Sequence, residues 1–169
     1  MAPLAAIDID TPCPSWAEAC PMAEGLACAA ARSALERGIA ASAITLYGPV
    51  ELGICLADDR RQRQLNRNWR GVDRPTNVLA FPAWEPGRSV PDAVPVLLGD
   101  IVLAFETVAR EAGEQGKPLA DHLSHLIVHG VLHLLGYDHR IPAEAALMEA
   151  LETAILESLG VADPYRDTT

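Results

Sequence analysis

The sequence predicts an α+β protein: a small mixed β-sheet packed with helices, with a metal site on a long helix and on the turn that follows it. Three observations lead there. Short apolar strand-like runs and longer helical stretches alternate with uneven spacing along 169 residues, with no internal repeat. Half of the residues are apolar, enough at this length for one core that buries roughly 70% of the unfolded surface. All five histidines fall between His122 and His139, in HLSHLIVHGVLHLLGYDH. Residues 1–169 are therefore read as one domain.

Residues 3 to 9 are apolar and followed by Pro12 and Pro14, which predicts an edge strand. Ala, Leu and Cys favour helix from Ser15 to Arg37, stopped at Gly38, with Pro21 either splitting it or marking its first turn. Residues 42 to 57 hold two strand-like runs, AITLY and ELGICLA, on either side of Gly48-Pro49; a hairpin and a single strand with an insertion both fit. Asp58 and Asp59 cap and open a helix that runs through Trp69, acidic at its start and basic at its end. Leu65 and Trp69, four apart, are expected on its buried face.

Residues 70 to 76 form a loop, and Asn77 to Phe81 a strand closed by Pro82. The proline-rich residues 82 to 95 read as a surface excursion. Val96 to Ala104 is a buried strand interrupted at Gly99-Asp100, and Phe105 to Gly113 a helix. Pro118 starts the histidine helix. Pro142 opens a closing helix in which Leu147, Leu151 and Ile155 face inwards and Glu144, Glu149, Glu152 and Glu157 outwards, ending at Gly160.

The histidines carry the chemistry. Positions i and i+4 of a helix stand one turn apart on one face, about 6 Å along the axis, so His129 and His133 can share an ion. His125 lies eight residues from His133, roughly 12 Å, and cannot join them. Gly136, after the last turn, can adopt a left-handed conformation that reverses the chain and returns His139 to the same ion. Three neutral imidazoles leave a fourth position open, the pattern of a catalytic zinc; nickel, copper and iron also suit such a set. His122 and His125 read as core or cleft-lining residues outside the ligand set. The spacing also resembles the metzincin motif H-E-x-x-H-x-x-G-x-x-H except that Gly130 stands at the catalytic glutamate. A glycine cannot take a proton from an attacking water, so peptide hydrolysis by that route is disfavoured.

Composition narrows the setting. The net charge is −10, which opposes a polyanionic partner, yet six of the thirteen Lys and Arg lie between 60 and 74: Arg60, Arg61, Arg63, Arg67, Arg70 and Arg74. Four cysteines without a C-x-x-C pair read as reduced residues. The start MAPLAAIDID lacks the basic region of a secretory signal, and no apolar run is long enough to span a membrane. A cytoplasmic protein is expected.

HGVLHLLGYDH (129–139), LNRNWRGVDRPTNVLAFP (65–82) and LLGDIVLA (97–104) together closely resemble the bacterial YbeY family of rRNA-maturation endoribonucleases, from about position 50 to Tyr165. The resemblance implies an α+β domain with a zinc-like ion on His129, His133 and His139, and a functional arginine that the motif places at Arg70. It also implies single-strand-specific RNA cleavage in small-subunit rRNA processing and ribosome quality control. The partners would be rRNA, the small ribosomal subunit and assembly proteins. Ala80 departs from the family, which usually has serine there. A non-enzymatic ribosome-assembly factor with a structural metal, or another metal hydrolase, is the alternative.

Overall fold

The computed structural model describes residues 5–46, 48–88, 91 and 94–166. Its centre is a four-stranded sheet in the order β1-β2-β4-β3. β1 (Ala5–Asp10), β2 (Val50–Ala57) and β4 (Val96–Ala104) run parallel, and β3 (Val78–Pro82) pairs antiparallel with β4. The α+β class with a mixed sheet is what the sequence predicts. β1 is the edge strand anticipated from the N-terminal residues; Ile7 and Ile9 turn inwards while Asp8 and Asp10 face out.

β4 is one strand and not an interrupted one. Leu97 faces Glu51 and Gly99 faces Leu52, so Leu98 is an extra residue at a bulge. The bulge switches which side chains point inwards: Val96 and Leu98 are buried before it, Ile101 and Leu103 after it. In the 42–57 region only residues from Val50 onwards form a strand; AITLY contributes none among its described residues, and Tyr47 lies outside them.

Pro21 splits the first helical stretch into α1 (Ser15–Ala19) and α2 (Ala23–Ala40). Trp16 of α1 is fully buried, donates its Nε1–H to the Ala57 carbonyl at 2.9 Å and meets the Phe105 ring edge to face. Gly38 does not stop α2, which continues to Ala40. It lies on a face of small residues (Ala27, Ala30, Ala31 and Ala34), where a Cβ would come within 2.6 Å of Leu135 and 2.9 Å of Leu132. Its role is close packing.

α3 (Asp59–Arg70) starts as expected, with Asp58 accepting the Arg61 N–H at 2.8 Å. Its buried face was not anticipated. Trp69 is 74% exposed, whereas Gln62 and Asn66 are buried. Gln62 donates to the Val102 and Asn77 carbonyls and accepts the Thr76 N–H; Asn66 donates to the Arg74 carbonyl. The helix docks through side-chain amides that satisfy loop backbone, so no hydrophobic stripe is needed. Trp69 instead borders an open cleft on the uncovered sheet face with Leu65, Phe81 and Asp100.

α4 (Phe105–Glu114) interlocks with α3: Asp59 accepts from the Thr107 N–H and hydroxyl at 3.0 and 2.8 Å, and Glu106 accepts the Asp59 N–H at 2.8 Å. α5 (Leu119–Leu134) crosses the core between the sheet and α2. Gly130 of α5 lies against Ile101, whose side chain would be 3.1 Å from an added Cβ. α6 (Pro142–Ser158) packs on α2 and α5 through Met148, Ile155 and Leu156. Two of its residues reverse the sequence reading: Leu147 is 61% exposed and Glu152 is fully buried.

Candidate metal centre and its cleft

α5 ends as a two-bond left-handed cap. The Tyr137 N–H reaches the Leu132 carbonyl and the Gly136 N–H the His133 carbonyl, both at 3.0 Å, with Gly136 at φ +99°. A second constraint fixes the turn from outside: the Tyr137 hydroxyl donates to the Gly38 carbonyl of α2 at 2.7 Å. Asp138 then accepts the His139 N–H at 2.7 Å and pairs with Arg140 at 2.8 Å. Helix end, glycine and tyrosine together return the chain on itself.

The result is the anticipated histidine triad. One ring nitrogen from each of His129, His133 and His139 lies within 4.8 Å of the others, and the two Nε2 atoms of His129 and His133 are 3.0 Å apart. A tetrahedral zinc at ~2.0–2.1 Å from each nitrogen would hold them about 3.3 Å apart, so the donor set fits one divalent ion with little movement. Among the described residues the group has three members, and its open side faces a cleft of about 740 Å³. Burial pushes the His133 imidazole down to about 4, and the neighbouring His129 and His139 add to the fall. The ring is thereby kept neutral, the form a metal ligand needs.

The cleft wall brings in Arg70 but not the other arginines singled out above. Arg70 lines it together with Asn77, Val78, Ala80 and Pro82, opposite the histidines of α5; Arg140 lines it from the turn. The Arg70 Nη2 donates to the Ala80 carbonyl at 2.6 Å, and the guanidinium carbon stands 5.4 Å from the Phe81 ring centre. The contact at position 80 is made by backbone, so the missing serine hydroxyl does not remove it. Arg60, Arg61, Arg63, Arg67 and Arg74 are exposed on α3 and its loop, with Arg63 paired to Asp73 at 2.9 Å.

His122 and His125 take different places. His122 is buried, with Nε2 3.0 Å from Glu111, and Glu111 also accepts from Asn77 at 3.0 Å. That chain ties α5 and α4 to the start of β3. Burial lowers the His122 pKa, against the pull of Glu111. His125 lines the cleft.

Glu152 is the residue the sequence reading missed. Its carboxylate contacts His129 Nδ1 and the Tyr165 hydroxyl directly and lies 3.4 Å from His125 Nε2. Burial pushes this carboxyl up, but hydrogen bonds from His125 and His129, the His129 charge and the Tyr165 hydroxyl hold it down at about 2. An ionised carboxylate only accepts, so His129 donates to it from Nδ1, which leaves Nε2, on the side of His133, as the nitrogen that can hold an ion. Burial and the same carboxylate raise the Tyr165 pKa.

The turn geometry makes one prediction. Gly136→Ala places a Cβ 2.5 Å from Pro86 Cγ at a left-handed φ. It is expected to lower unfolding stability by about 1–3 kcal/mol in chemical denaturation. Zinc affinity should fall in parallel, because His139 is carried on that turn.

Comparison with known proteins agrees with this architecture. The sequence profile of the family described as "Endoribonuclease YbeY" matches residues 27–160. A protein named "Endoribonuclease YbeY" from Paramagnetospirillum magneticum is 57% identical over 162 residues, covering 94% of each chain. One of the same name from Bradyrhizobium sp. is 54% identical over 141 residues, covering 81% of this chain and 83% of its own. A solution structure from Thermotoga maritima shares the fold at a TM-score of 0.55 and 22% identity, covering 96% of this chain and 100% of that one. The match to the profile spans most of the chain and both halves of the cleft, from the arginine loop to the histidine turn, and the chain belongs to the YbeY endoribonuclease family.

Proposed function

We propose that this protein is a metal-dependent endoribonuclease that cleaves single-stranded RNA, acting in the cytoplasm in small-subunit rRNA maturation and ribosome quality control. The observation that carries the reading is the placement of Arg70 and the three histidines in the walls of one cleft. Zinc is the ion assigned to the triad, with nickel or another divalent metal compatible with three imidazoles.

Bound there, such an ion supplies Lewis acidity at a phosphoryl oxygen and lowers the pKa of water towards ~7. The chain supplies position and charge. With Nη2 engaged by Ala80, Arg70 keeps its other N–H donors for the phosphate, and a planar fork can hold two of its oxygens at once. The Tyr137 hydroxyl, already committed to Gly38, holds the turn. Gly130 provides no carboxylate on the histidine helix, which separates this cleft from a metalloprotease. A strand with unstacked bases can bend its backbone into the cleft, whereas a duplex keeps its phosphates on a rigid A-form surface.

RNA outside the cleft is expected to run past Arg60, Arg67 and Arg74, with Arg63 contributing less because Asp73 neutralises it. With a net charge of −10, affinity for free RNA depends on these few contacts and on help from ribosomal or assembly proteins. With Arg70 in the cleft as the fourth, four arginine–phosphate contacts give a slope of about −3 in log K against log salt for a single strand. Binding that is indifferent to salt would refute the arginine path. The direct test incubates zinc-loaded protein with an RNA strand, the same strand annealed to its complement, and a peptide pool. Cleavage of the free strand alone is the expected result; equal cleavage of the duplex, or none of either RNA, would refute the reading.

A further inference from the structure

We propose that Glu152 is the positioning residue of the metal centre, and that the segment ending at Tyr165 is the clasp that holds Glu152 in place. The inference rests on the histidine triad being a metal site and deepens it. α6 supplies no ligand, yet it carries a fully buried carboxylate in contact with one of the ligands. Its partners are His129, His125 and the Tyr165 hydroxyl, with no Lys or Arg among them.

Burying a carboxylate without a cation is costly unless its oxygens are well bonded. Packing does not require it, because the neighbouring contacts of α6 are made by Met148, Ile155 and Leu156, and an apolar side chain would fill the same stripe. What the carboxylate does is specific to His129. By accepting the Nδ1 proton it fixes the tautomer and ring plane, and it leaves the Nε2 lone pair directed at the point where His133 and His139 converge.

The second oxygen of Glu152 is occupied from the other side. Asp163 accepts the Tyr165 N–H at 2.9 Å and the Thr153 hydroxyl at 3.2 Å, so the turn after α6 is tied back to that helix. It presents the Tyr165 hydroxyl to Glu152 and sets the ring edge-on to His125 at 5.6 Å. The chain of contacts runs from Thr153 through Asp163, Tyr165 and Glu152 to His129.

The test measures the zinc dissociation constant by competition with a chromophoric chelator, beside the melting temperature of the metal-free protein. Glu152→Gln keeps the shape and loses the charge, and it is expected to weaken zinc binding about 10- to 100-fold. Tyr165→Phe leaves the carboxylate but frees it to rotate, and should weaken binding several-fold with the metal-free melting temperature nearly unchanged. Met148→Ala, on the same helix but with no polar atom to offer His129, should lower the melting temperature without changing the dissociation constant. The proposal falls if Glu152→Gln binds zinc within about twofold of the unmodified protein, or if Met148→Ala weakens binding as much. Should Glu152→Gln fail to fold, Tyr165→Phe decides, and unchanged affinity there overturns the clasp and the positioning role together. Unmodified protein that binds no divalent metal would overturn the metal reading itself, and this inference with it; normal binding with an indifferent Glu152→Gln would overturn this inference alone.

Discussion

His133→Ala is expected to lose its metal and its RNA cleavage together while keeping its fold. His133 is central to the triad: its Nε2 is 3.0 Å from that of His129, and its ring is also packed against His139. Without it the remaining two imidazoles no longer enclose an ion, and two-ligand sites compete poorly with water and chelators. The metal term is worth several kcal/mol at the transition state, so cleavage should fall on the order of 10³-fold. Metal content by mass spectrometry and cleavage of a labelled single strand at matched concentration read the two losses side by side. Helix content and melting cooperativity should persist, because the buried residues of α5 that hold it in the core, among them Leu123, Ile127 and Val131, are untouched. Full cleavage that stays with metal-free His133→Ala through a further purification step would refute metal dependence, whereas cleavage that separates from the protein would trace to a contaminating nuclease.

The contrast between the two halves of the site shows what a sequence can disclose. The triad was legible because its determinants are local: helical spacing brings His129 and His133 together, and a glycine at the helix end reverses the chain. Each can be read within eleven residues. Glu152 was illegible for the opposite reason. It is an acid in the middle of a buried stripe, Met148–Glu152–Ile155–Leu156, and hydrophobic patterning prefers the neighbouring register through Leu147, which the structure leaves exposed. Only the three-dimensional placement of α6 over α5 reveals that the acid has a histidine to meet.

Two other departures have the same character. The four-residue spacing of Leu65 and Trp69 predicts a buried apolar face for α3, but that helix docks through Gln62 and Asn66 onto backbone carbonyls of β4 and the neighbouring loop. Amide-to-backbone bonding has no apolar periodicity to detect. Gly38 reads in the sequence as a stop because a glycine that ends a helix and a glycine that lets two helices touch are the same letter. The touching helix, α5, lies almost a hundred residues away, and the Tyr137–Gly38 hydrogen bond across that separation helps set the histidine turn. The fold class needed less, since alternating runs of strand and helix restrict a short chain to few layered arrangements.

Arg70→Ala and Arg70→Lys are both expected to lose cleavage while binding zinc normally, and this pair separates the two walls of the cleft. Arg70 contacts none of the three ligands in the structure; its partners are the Ala80 carbonyl and the Phe81 ring. Removing it should therefore leave the zinc dissociation constant unchanged. If the guanidinium holds the scissile phosphate and meets the charge that develops on it, its loss removes a donor aimed at the transition state, about 10²- to 10³-fold in rate. Lysine keeps the charge but not the planar fork, so a point-charge role predicts substantial rescue by Arg70→Lys and a bidentate role predicts little. The bidentate role fits the geometry better. A guanidinium braced by a carbonyl at one nitrogen and an aromatic face beside it has its remaining donors oriented before substrate arrives, which a flexible ammonium cannot reproduce. The measurement is single-turnover cleavage of one labelled strand by the three proteins, each first titrated with zinc. A rate in Arg70→Ala equal to that of the unmodified protein would remove Arg70 from the reaction; near-complete rescue by lysine would keep its charge and discard the fork.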